Sequence, residues 1–205
     1  MRERYDEDLN KVREMEKKVS ELIVLSFDRF ILFLKNDNKK NLEEIIDLEV
    51  DIRKYTVNIE RFCYDLLSLQ QPVAKDLRFL QMSIKLSSTY KRIASHMSKA
   101  AEILLEFDLR NEEKEFVKNF IENQKQMTHK GIEAFEIIDK KEAVETIEDD
   151  KINNKLFEDS IHFLVKLTKA DEINVHELSE KVLFYKYFER IGDRLAKVAD
   201  YATRL

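Results

Sequence analysis

The chain has 205 residues, with two Gly, one Pro, one Cys, no Trp and a formal net charge of -5. This charge gives no broad basic field for nucleic acid, and one cysteine allows no internal disulfide framework. Hydrophobic residues at 43% and charged residues at 38% argue against disorder and suit amphipathic helices around a continuous core. So few breakers over such a length imply long helices and short turns.

Apolar spacing predicts a first helix from about Glu3 to Lys35, with Val12, Val19, Ile23, Phe30 and Phe33 at three- and four-residue steps. Asn36-Asp37-Asn38 reads as a turn. A second helix follows from about Lys40 to Leu69, with Ile45, Ile52, Tyr55, Ile59 and Leu66 inward. Pro72, the only proline, fits the first turn of a third helix running from about Pro72 to Phe107 through Leu77, Leu80, Ile84, Ile93 and Met97. Asp108 to Asn111 marks a turn, with Asn111 as N-cap. The fourth helix carries Phe116, Phe120, Gln124, Met127 and Phe135, and Gly131 is expected to bend or fray it. A fifth helix starts near Asp139-Lys140, and a sixth runs from about Val175 to Arg204 after the turn Asp171 to Asn174.

Lys91-Arg92-Ile93-Ala94-Ser95 in the third helix corresponds to Glu189-Arg190-Ile191-Gly192-Asp193 in the sixth. The same Arg-Ile pair sits at matching depth in both. The expected fold is therefore all-α: six long helices as a tandem repeat of two three-helix bundles, residues 1–108 and 109–205. Tyr185, Tyr187 and Phe188 circle the last helix, so some of them are expected at a contact between the halves or with another subunit.

No run reaches the ~18 apolar residues of a membrane span, and Met1-Arg2-Glu3-Arg4-Tyr5-Asp6 has no apolar signal core. The expectation is a cytoplasmic protein without membrane insertion, its Cys63 a buried structural thiol. There is no glycine-rich phosphate loop, no nucleophile elbow and no zinc-type cysteine spacing. His96, His129, His162 and His176 form no Glu-x-x-His pair, and each reads as surface or half-buried.

Glu189 and Asp193 share one helix face. Like charges at that spacing repel unless a cation or a basic partner lies between them. One reading is a solvated acidic edge beside Arg190 and Arg194; the other is a carboxylate pair aimed at a metal. Gly192 lies between them, and a glycine inside a helix costs roughly 1 kcal/mol relative to alanine. Its presence there suggests close backbone packing.

The stretch Gln70 to Arg78, followed by the duplicated helix, and the run Glu189-Arg190-Ile191-Gly192-Asp193 together resemble the PhoU family of bacterial phosphate-uptake regulators. The resemblance covers nearly the whole chain. It implies two acidic motifs per half, each an acidic residue followed four positions later by Asp, and up to two metal sites. In the first half these positions hold Lys91 and Ser95 on the third helix, and Glu49 and Arg53 on the second. Ammonium and guanidinium groups cannot ligate a cation. No metal is expected there, and Glu49, Arg53 and Lys91 read as an ion pair between neighbouring helices. In the second half Glu189 and Asp193 are intact, and their partners by alignment are Asp150 and Asn154. Three carboxylates and one amide carbonyl suit iron, zinc or magnesium; the other reading is a structural polar cluster using Arg190 and waters.

The resemblance further implies a non-enzymatic negative regulator of phosphate uptake and of the phosphate-starvation response, with only an indirect effect on transcription. Its partners would be the ATPase of the phosphate ABC transporter and a phosphate-sensing histidine kinase, and it would form a homodimer. Two rival readings remain: a carboxylate-bridged metal-dependent enzyme in a helical bundle, and a scaffold of the same fold with another client.

Overall fold

The computed structural model describes residues 2–69 and 72–205, with the backbone alone for residues 2–4. Gln70 and Gln71, which open the stretch before Pro72, lie outside the described residues, as does Met1. Every regular element among the described residues is a helix: α1 (Arg2–Asn36), α2 (Lys40–Leu69), α3 (Ala74–Glu106), α4 (Asn111–Ile137), α5 (Lys140–Lys169) and α6 (Val175–Thr203).

Helices end here without glycine. Asp37, Ile138 and Asp171 take φ of 51°, 60° and 54° just beyond α1, α4 and α5. After α4, Asp139 N donates to Ala134 O at 2.9 Å, and after α5, Glu172 N donates to Leu167 O at 3.0 Å. These bonds satisfy carbonyls that the helix itself leaves free. The starts use short polar side chains. Asp139 Oδ1 accepts from the backbone N of Lys141 and Glu142, and Asn174 Oδ1 accepts from Glu177 N.

Three local expectations shift. Arg110, not Asn111, caps α4, because the Glu113 carboxylate accepts the Arg110 backbone N–H at 3.0 Å. Glu113 is held in place by Lys181 of α6 at 2.8 Å, both side chains being buried. Helix α3 begins at Ala74 with an extended Val73 as its N-cap, so Pro72 stands outside the helix rather than in its first turn. Gly131 does not interrupt α4, which runs unbroken from Asn111 to Ile137. It is buried against α6, where a Cβ would stand 3.4 Å from Val198 Cγ1.

Helices α1, α2 and α3 pack on one another, as do α4, α5 and α6. The two bundles meet through equivalent helices, α3 on α6 and α1 on α4. Phe30 of α1 and Phe188 of α6 have ring centroids 5.5 Å apart. The Thr89 and Tyr201 hydroxyls lie 3.1 Å apart between α3 and α6. Lys114 and Lys125 of α4 pair with Asp37 and Asp28, each at 2.6 Å. Tyr55, expected inward, lies on an outer face at 37% exposure, because among the described residues α2 packs on α1 and α3 and leaves its far side uncovered; Leu77, in the first turn of α3, is 36% exposed.

Candidate functional site

Gly192 sets the geometry. It is buried on α6 where α5 crosses, and a Cβ built on it would stand 2.5 Å from both Asp150 Oδ1 and Asn153 Nδ2. The missing side chain lets α5 lay two polar residues against the α6 backbone. Asn153 is fully buried. It donates to Asp150 Oδ1 at 3.1 Å and accepts from Gln124 Nε2 at 3.2 Å. Gln124 also donates to the Phe188 carbonyl at 2.7 Å. A polar thread thus joins α4, α5 and α6. Asn153 is not among the residues that motif spacing points to. Its signal is phase: Thr146, Asn153 and Ser160 recur every seven residues on the buried face of α5.

The four predicted residues lie on facing helices. Asp150 is half-buried and Asn154 exposed, with Asn154 Nδ2 3.4 Å from Asp150 Oδ2. Glu189 Oε1 accepts from Lys186 Nζ at 2.6 Å, while Glu189 Oε2 is buried without a partner among the described residues. Burial pushes the Asp150 carboxyl above its ordinary range; the Asn153 hydrogen bond opposes this, and the charges of Asp193 and Glu189 add to it. Asp193 is raised by burial and then by Glu189. Asp150, Glu189 and Asp193 therefore repel one another within one acidic group.

As placed, no three His, Cys, Asp or Glu side chains among the described residues gather as a metal-holding group. Asp150 is turned onto Asn153, and Glu189 onto Lys186. The donor chemistry nonetheless fits a hard cation: the oxygens are carboxylate and amide, and one buried carboxylate oxygen lacks any partner. Such an ion would displace Lys186 and require Asn154 to present its carbonyl. The polar cluster present is built on Asn153 and Gln124, not on Arg190, which is exposed.

The first half differs. Glu49 pairs with Arg53 within α2 at 2.5 Å. Lys91 does bridge neighbouring helices, but to Glu60, at 2.8 Å. The register of α3 against α2, which the spacing within either helix does not record, brings position 60 beside Lys91. Asp51 is exposed and pairs with Lys54.

The PhoU domain matches residues 16–104 and again 117–202. The chain belongs to the PhoU family. A relative from Methanothermobacter thermautotrophicus, phosphate-specific transport system accessory protein PhoU homolog 1, is 30% identical over 197 residues, covering 94% of this chain and 88% of that protein. The Escherichia coli phosphate-specific transport system accessory protein PhoU is 21% identical over 199 residues, covering 96% of this chain and 83% of that one. The crystal structure of PhoU from Pseudomonas aeruginosa aligns with a TM-score of 0.88 at 20% identity, covering 97% of this chain and 96% of its own. That likeness shows the shared PhoU fold. Both PhoU repeats fall within the two helical bundles.

Proposed function

We propose that this PhoU-family chain is a regulatory accessory protein of phosphate transport that works by contact and not by turnover. The observation that carries this reading is full-length kinship: both halves match the PhoU domain, and a relative bearing the accessory-protein name covers nearly the whole chain. In the finer reading it is a cytoplasmic homodimer and a negative regulator. It restrains import at the ATPase of a phosphate ABC transporter and biases a phosphate-sensing histidine kinase toward its repressing state. Two protein–protein equilibria are then coupled through one molecule, each partner shifting the affinity of the other. Long helices with extended outer faces support such a role.

Asp150, Glu189 and Asp193, with the Asn154 carbonyl, would hold one hard cation such as iron, zinc or magnesium. When bound it supplies positive charge that relieves the repulsion among the three carboxylates. These residues then tie α5 to α6 and shape the face that partners meet.

The test is a deletion strain complemented with the wild-type gene or with the Glu189→Ala/Asp193→Ala double variant. Wild type is expected to restore repression of phosphate-starvation genes, to co-purify with the transporter ATPase and the kinase, and to carry metal by elemental analysis. The double variant is expected to lose the metal and to derepress. Normal repression by a metal-free double variant would remove the cation from the mechanism. Failure of the wild type to repress or to capture either partner would overturn the regulatory reading.

A further inference from the structure

The seam between α3 and α6 gathers cations from both copies of the repeat. Arg92, His96 and Lys99 stand at i, i+4 and i+7 along α3, and Tyr187, Arg190 and Arg194 at i, i+3 and i+7 along α6; each set occupies one helix face. His96 and Tyr187 stack across the seam with ring centroids 5.6 Å apart. Lys99 Nζ lies 5.9 Å from the centroid of the same Tyr187 ring.

The cations of this seam lack close ion-pair partners. Among the described residues, Arg92, Lys99, Arg190 and Arg194 form no ion pair within 4 Å, although Lys91, Lys114, Lys125 and Lys130 each pair with a carboxylate on another helix. His96 Nδ1 is buried without a hydrogen-bond partner. Burial and the charges of Arg190, Arg194, Lys99 and Arg92 hold its imidazole down to about 4, so the ring is neutral at neutral pH. Acids stand nearby without pairing. Asp193 feels Arg194 and Arg190 without pairing with either, and Glu102, Glu106 and Glu180 line the neighbouring groove of about 290 Å³ beside Lys99 and Tyr187. Four cations without a close ion pair around a buried ring nitrogen, in a chain of net charge -5, offer a place for a small multivalent anion.

We propose that this seam is an oxyanion site for phosphate, taken as the free inorganic ion or as one phosphate of a longer chain. Arginine forks match phosphate oxygens in pairs, and lysine adds a point charge. An anion among these cations offsets their charge at His96 and so raises the pKa of its imidazole, although burial still opposes its protonation. The site needs both repeats, so its occupancy would bind α3 to α6. Choosing phosphate over other oxyanions rests on the phosphate-transport reading; the charge argument does not.

The experiment uses the full chain at constant ionic strength set with chloride. Orthophosphate and a short-chain polyphosphate are titrated by calorimetry, with sulfate as a control and His96 followed by NMR. The comparison variant is Arg92→Ala/Lys99→Ala, both exposed positions on α3, with circular dichroism to confirm its fold. Binding of either anion is expected, with the His96 pKa rising toward its ordinary range. The double variant should bind about tenfold or more weakly, which is about 1.4 kcal/mol or more. The tighter of the two anions names the source, and either result supports the site. No heat and no His96 shift with either anion overturns it, as does equal binding by the variant. A seam that takes sulfate and refuses phosphate overturns the phosphate assignment. Gene repression is scored separately, so failure of the site and failure of the regulatory reading remain distinguishable.

Discussion

Glu16 on α1 is fully buried, and among the described residues neither of its carboxylate oxygens has a hydrogen-bond partner. Ser83 Oγ, Ser87 Oγ and the Tyr90 hydroxyl of α3 are buried and unpartnered as well. Burial pushes the Glu16 carboxyl up to about 8 from 4.5; Ser83 and Arg13 act against it, and Glu136 with it. At neutral pH the folded chain thus keeps a proton here that the unfolded chain gives up. Stability from this group is full below about 4.5, falls as pH rises and is gone above about 8. Each unit of that window is worth about 1.4 kcal/mol for a single group. Glu16→Gln keeps the shape and removes the titration. The variant is expected to match the parent near pH 4.5 and to exceed it by several kcal/mol near pH 8. Urea midpoints at the two pH values decide it: an unchanged difference between variant and parent would show that Glu16 does not titrate in this window.

At the scale of elements, the α5–α6 contact turns on one missing side chain. Alanine is a better helix former than glycine by roughly 1 kcal/mol, yet Gly192→Ala is expected to destabilise by about 1–2 kcal/mol, because overpacking a fitted contact costs more than the helix gains. Its Cβ would drive Asp150 and Asn153 back, and buried Asn153 cannot retreat without leaving Gln124 short of a partner. The corresponding residue of the first half is Ala94, already a buried alanine. Ala94→Gly is expected to lose roughly 1 kcal/mol from helix propensity alone. Denaturant curves of the two variants test the contrast, and a stabilised Gly192→Ala would show that the close approach is relaxed. The same contact shows what periodicity can reveal. Apolar steps and turn residues placed all six helices, because those signals are local. The Arg110 cap was hidden because Glu113 is held by Lys181, far along the chain. Lys91 with Glu60, and Asn153 under Gly192, depend on how one helix is registered against the next, which no single helix records.

At the scale of the whole molecule, two repeats read from sequence share one core. Phe30 packs on Phe188, Thr89 meets Tyr201, and Lys125 reaches Asp28, so each half buries groups of the other. One cooperative thermal transition is expected, with calorimetric and van't Hoff enthalpies equal. Two resolved transitions would mean that the halves fold independently. The single cysteine gives this architecture a practical side. Cys63 is fully buried, and burial, followed by the charges of Glu16 and Glu60, pushes its thiol up to about 12. Maleimide dyes and spin labels react with thiolates, so the native sulfur stays silent to them in the folded chain. Cysteines introduced on the outer faces of α2 and α5 would be the only handles such reagents find. The natural sequence is thus a ready background for single-molecule distance measurement between the bundles, without first removing a residue from its core.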